Sequence, residues 1–145
     1  MSPRTLAEIL ADAAERIDRL QPEQVAVELS EGATLVDIRS SNGRSRDGVV
    51  PGALHLPRTV LEWRLEPGGS YRHPQAPPAG ARVIVICDHG FSSVLAAASL
   101  AELGYRAADV VGGFAAWLEA GLRVIPAPET DPAALAGMAP PDSDY

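Results

Sequence analysis

Apolar residues recur at Leu6, Ile9, Leu10, Ala13, Ile17 and Leu20, with Asp12, Glu15, Asp18 and Arg19 on the other faces. That three-and-four spacing predicts an amphipathic helix over 6–20, opened by Thr5 and Glu8 as a capping box. Pro22 suits the first turn of a second helix, with Val25, Ala26 and Leu29 inward and Gly32 as its stop. The period then changes. The runs 34–38 and 82–86 are short, aliphatic and β-branched, as strands buried on both faces of a parallel sheet are. Weaker strand patterns at 53–56 and 108–111 are bracketed by Pro51-Gly52, Pro57, Gly104 and Gly112-Gly113. Helical patterns over 60–65, 92–103 and 114–120 separate them, and this alternation predicts an α/β layered domain with right-handed crossovers. Residues 66–81 read as irregular, and 126–145, with four acids, no base and five prolines, as a mobile acidic tail.

A chain of 145 residues has the length of one domain with one core. It holds 12 basic and 19 acidic side chains, a net charge of −7, and every basic one is arginine. The absence of lysine excludes Schiff-base chemistry and the lysine of a phosphate-binding P-loop. An acidic chain lacks the footprint for nucleic acid, and no apolar run is long enough for a membrane span or signal peptide. A single cysteine allows neither an internal disulfide nor a multi-thiolate zinc site, which points to a reducing, cytoplasmic setting and a free thiol. Within 39–82, seven arginines face three acids, a local positive surplus that either solvates a long loop or draws an anion.

The predicted strand 82–86 runs directly into Cys87-Asp88-His89-Gly90-Phe91-Ser92-Ser93, and a helix follows. Ligands bind at this place in open parallel sheets, between a strand's carboxyl end and a helix's amino end, where free amides favour an anion such as a thiolate. Gly90 permits a turn that aims successive amides at the sulfur, and the hydroxyls of Ser92 and Ser93 are further candidate donors. The plain alternative is that Cys87 is a small buried hydrophobe closing a strand.

Four segments in order resemble the rhodanese-like sulfurtransferases. Cys87 to Ser93 is similar to their active-site loop, Leu35-Val36-Asp37-Ile38-Arg39 to their first-strand motif, and Val50-Pro51-Gly52-Ala53-Leu54-His55-Leu56-Pro57 to their proline-glycine-alanine segment. Gly112-Gly113-Phe114-Ala115-Ala116-Trp117 is similar to their C-terminal helix signature. The resemblance implies a five-stranded parallel sheet with helices on both faces over 21–125, preceded by the N-terminal helix within 1–20. It also implies a Cys87 that cycles through a persulfide, taking sulfane sulfur from a donor such as thiosulfate and passing it to cyanide or a thiol, with no cofactor and no metal. Its partners would be a small-molecule or protein persulfide donor and a thiol acceptor. The same fold houses phosphatases with an arginine six positions after the cysteine, where this chain has Ser93.

Asp88 departs from the basic loops of enzymes that use thiosulfate well, because a carboxylate there repels an anionic donor. By resemblance Asp37 and Arg39 brace loops. Arg58 and Arg64, ahead of Arg44 and Arg46, are the candidates for binding the donor, and His89 is a candidate tuning group. His55 and His73 have no partner at metal-ligand spacing, and Trp63 and Trp117 fall on apolar helical faces as core residues. A non-catalytic rhodanese-like binding or regulatory module is the alternative function, with a homodimer through the first helix as a further option.

Overall fold

The computed structural model describes residues 2–128, so most of the acidic segment 126–145 lies outside the described residues. Five strands, β1 (Asp18–Leu20), β2 (Thr34–Asp37), β3 (Leu54–His55), β4 (Arg82–Ile86) and β5 (Arg106–Val110), form one sheet in the order β1-β5-β4-β2-β3. Every pairing is parallel. The helices are α1 (Leu6–Glu15), α2 (Pro22–Ser30), α3 (Ser41–Asp47), α4 (Leu61–Leu65), α5 (Ser92–Glu102) and α6 (Gly113–Glu119).

The central strand shows why the sheet is covered on both sides. Side chains alternate across a strand, so Val83 and Val85 enter one core layer while Ile84 and Ile86 enter the other. The first layer is closed by Leu61, Leu65, Ala97 and Leu100 of α4 and α5. Val25 of α2 with Phe114 and Trp117 of α6 closes the second. Helix α1 packs outside α5 through Ala13, Val94 and Ala98. Five parallel strands with helices on both faces, and an N-terminal amphipathic helix, match the expected architecture.

Two elements differ from the periodicity. The N-terminal helix opens on the expected Thr5–Glu8 capping box but stops at Glu15, and Asp18–Leu20 pairs with Ala108–Val110 as an edge strand. Three residues at an edge, two of them charged, carry too little pattern to separate from a continuing helical stripe. Helix α3 was absent from the pattern because SNGRSRD has no apolar stripe; Ser40 caps it by accepting the Gly43 amide at 3.1 Å. Trp117 is in the core as expected, whereas Trp63 is 37% exposed, on the solvent side of α4.

Candidate active site

The chains leaving β2 and β4 run to opposite sides of the sheet, toward β3 and β5, so the crevice at their carboxyl ends is a topological switch point. Cys87 is the first residue past β4 at that crevice. The turn that follows lies backbone against backbone on the start of α6. The Phe114 amide donates to the Cys87 carbonyl at 2.8 Å and the Ala115 amide to the Asp88 carbonyl at 3.1 Å. Such closeness needs residues without a Cβ. A Cβ at Gly113 (φ +63°) would stand 2.5 Å from the Cys87 carbonyl oxygen, and one at Gly90 (φ +84°) 2.7 Å from the Gly112 nitrogen.

Within this turn the Gly90 amide donates to Cys87 Sγ at 3.2 Å, and the thiol is 6% exposed. Cys87 also borders the core layer of Val85 and Ala97. The sequence predicted a fuller cradle of several amides and two hydroxyls. Among the described residues the Gly90 amide donates to Sγ, whereas Ser93 turns away to donate from Oγ to Asp109 Oδ2 at 2.7 Å. Asp88, His89, Phe91 and Ser92 form the exposed rim, and Phe91 is 80% exposed.

The residue that pattern reading missed is Arg19. Its guanidinium leaves β1, meets both Asp109 oxygens at 2.8 and 3.0 Å, and donates to the Gly90 carbonyl at 3.1 Å. Hydrogen bonding to Asp109 holds its pKa above the usual arginine value despite partial burial, and the charges of Asp109 and Cys87 act in the same direction. Edge strand, β5 and active-site turn are thus tied by one cation. The available signal was Asp109, an acid among the alanines and valines of 107–111, which requires a partner when buried.

Asp37 and Arg39 form a buried brace at the end of β2. Arg39 donates through Nε and Nη2 to the Asp37 carboxylate, through Nη2 to the Gly48 carbonyl at 2.8 Å, and lies over the Phe114 ring at 3.6 Å. It thereby holds the α3 loop against α6. His55 Nε2 lies 2.9 Å from the Arg39 carbonyl, and burial pushes the His55 pKa below 6.5, with the charges of Arg44 and Arg39 adding to the effect.

The two candidate donor-binding arginines each meet a group of the protein itself. Arg64 is buried and donates to the Tyr71 carbonyl at 2.7 Å, anchoring the irregular loop after α4. Arg58 closes on Glu62 at 3.0 Å, an i,i+4 ion pair. Among the described residues no group of three His, Cys, Asp or Glu side chains could hold a metal ion, and no helix is long and apolar enough to cross a membrane.

Fold and site together define an open parallel α/β domain that presents a single cysteine on a glycine turn at the sheet's switch point. The rhodanese-like domain profile matches residues 21–120, and the chain belongs to that family. It is 37% identical over 94 residues to the thiosulfate sulfurtransferase GlpE of Actinobacillus succinogenes, covering 64% of this chain and 76% of the relative. It is 33% identical over 106 residues to the GlpE of Haemophilus influenzae, covering 72% and 91%. A solved protein of unknown function from Rhodopseudomonas palustris, described as a possible tyrosine phosphatase, superposes with TM-score 0.72 at 28% identity, covering 86% of this chain and 97% of that one. The matched profile begins after β1, so Arg19 lies outside it.

Proposed function

We propose that this protein is a sulfurtransferase that carries sulfane sulfur on Cys87. The supporting observation is the position of the thiol at the switch point, with the Gly90 amide on its sulfur, in a chain similar to thiosulfate sulfurtransferases. In the reaction the Cys87 thiolate attacks the outer sulfur of a donor such as thiosulfate. The donor's sulfur–sulfur bond breaks and its electron pair leaves with sulfite, giving a Cys87 persulfide anion. A thiophilic acceptor, cyanide or a thiolate, then attacks the terminal sulfur, and the bonding pair returns to Cys87. No electrons enter or leave, so one cysteine suffices. Helix α5 starts without a side-chain cap, leaving first-turn amides available for the negative charge as it shifts between sulfurs.

The rim qualifies the donor. Asp88 places a carboxylate at the exposed rim, and the exposed Arg46 guanidinium of α3 lies near enough to feel its charge, so the rim offers a dianionic donor no surplus of positive charge and suits a protein or organic persulfide better. A phosphatase reading fits the site poorly, because the position that would carry the phosphate-gripping arginine is Ser93, whose hydroxyl is held by buried Asp109.

Incubation of the protein with thiosulfate or glutathione persulfide, followed by mass spectrometry, tests the proposal. One added sulfur on Cys87, released by cyanide as thiocyanate and absent in Cys87→Ser, is the expected outcome. Undiminished transfer by Cys87→Ser, or no sulfur addition from either donor, refutes it and leaves the binding-module reading.

A further inference from the structure

A second charged site lies beside the sheet's β3 edge, built from residues that sulfur transfer does not use. Asp37, Arg39 and Arg44 are all buried, and Arg44 is 6% exposed. Two guanidinium charges therefore share one carboxylate. Arg39 takes both Asp37 oxygens, whereas Arg44 approaches Asp37 through Nε at 3.4 Å, and that nitrogen makes no hydrogen bond of good geometry. The next carboxylate along the chain, half-buried Asp47, is bound by Arg46 at 3.0 and 2.9 Å. A buried cation with incomplete compensation is costly and attracts a counter-charge. Burial lowers the Arg44 pKa, the Asp37 carboxylate offsets this in part, and the Arg39 charge adds to the lowering.

Arg44 lines a cleft of about 350 Å3, together with Thr34, Ala53, His55 and Gln75. Thr34, Gln75 and the Arg44 fork supply donors, and His55, whose Nε2 is taken by the Arg39 carbonyl, adds one through Nδ1 when its ring is protonated; the cleft opens to solvent, and among the described residues no carboxylate lines it. Cys87 is not among its walls. We infer that this cleft binds a small oxyanion, gripped by Arg44 and completed by His55, Gln75 and Thr34, at a site separate from the active-site thiol. The charge-assisted fork is what a sulfate-, phosphate- or carboxylate-type group recognises. The site does not depend on whether Cys87 transfers sulfur.

Titration of the full chain with inorganic sulfate, inorganic phosphate and acetate, against sodium chloride at matched ionic strength, tests this by two-dimensional NMR. Saturable shifts should centre on Thr34, Ala53, His55 and Gln75. An oxyanion should also raise the pH midpoint of the His55 ring, one of only three histidines. Both effects should persist in Cys87→Ser and weaken about tenfold in Arg44→Met, which removes the charged fork. Gln75 is exposed, so Gln75→Glu serves as a second variant that keeps the fold and places a repelling charge in the cleft; it should weaken binding similarly. The inference is overturned if shifts are no larger than with chloride, if they centre on residues 88–91 and vanish in Cys87→Ser, or if Gln75→Glu binds as well as the parent.

Discussion

Arg19→Gln tests how the edge strand supports the active-site turn. The substitution removes two bonds to Asp109, at 2.8 and 3.0 Å, and one to the Gly90 carbonyl at 3.1 Å. Asp109 is 0% exposed and keeps only the Ser93 hydroxyl at 2.7 Å. Breaking a fully buried ion pair costs about 3–5 kcal/mol. The Arg19 side chain is 36% exposed, however, so water and salt already screen part of the attraction and a loss of about 2–3 kcal/mol is expected. At roughly 3 °C per kcal/mol for a domain of this size, the midpoint of thermal unfolding should fall by about 6–9 °C. Urea unfolding of Arg19→Gln, Asp109→Asn and the double variant separates the pair from its surroundings. The coupling energy should be about 1.5–2 kcal/mol, because the double variant no longer buries an unpaired carboxylate. Hydrogen exchange supplies the local readout: the Gly90 amide, held by Cys87 Sγ, should exchange faster in Arg19→Gln by more than global destabilisation accounts for. Coupling below about 0.5 kcal/mol, with Gly90 exchange tracking global stability alone, refutes the clamp.

Three further outcomes follow from the geometry. Gly113→Ala sets a Cβ 2.5 Å from the Cys87 carbonyl in a left-handed backbone, so it should destabilise by about 2–3 kcal/mol and depress sulfur transfer; unchanged stability by calorimetry refutes this close packing. Because the folded pKa of His55 lies below 6.5, the unfolded chain takes up a proton first as the pH falls below that value. This contribution therefore lowers stability progressively from pH 6.5 down to the folded pKa, and His55→Gln should lose less stability than the parent between pH 7.5 and 5.5; parallel urea profiles refute it. Phe91→Ser should leave thermal stability within about 0.5 kcal/mol because the ring is 80% exposed, while weakening transfer from a protein persulfide more than from thiosulfate; equal effects on both donors contradict a docking role for the rim.

The alternation of aliphatic strands with helical stripes already specified an α/β domain, since strands such as Val83 to Ile86 are apolar on both faces and need cover on both sides. The order of motifs placed a cysteine where a strand meets a helix, and Gly90 marked a turn there that needs a residue free to take positive φ. These are local properties, written in neighbouring residues. What the tertiary structure decided is which distant groups meet. Arg19 read as the polar face of a helix until β1 paired with β5 and set it against Asp109, 90 positions along the chain. Ser93 read as a donor to sulfur until the same buried carboxylate claimed its hydroxyl. Arg64 read as a candidate for binding the donor, and the fold buries it with the Tyr71 carbonyl of the irregular loop as a partner. Charges have no periodicity that announces a partner; burial makes the partner obligatory, and only the folded chain determines which one stands within hydrogen-bonding distance.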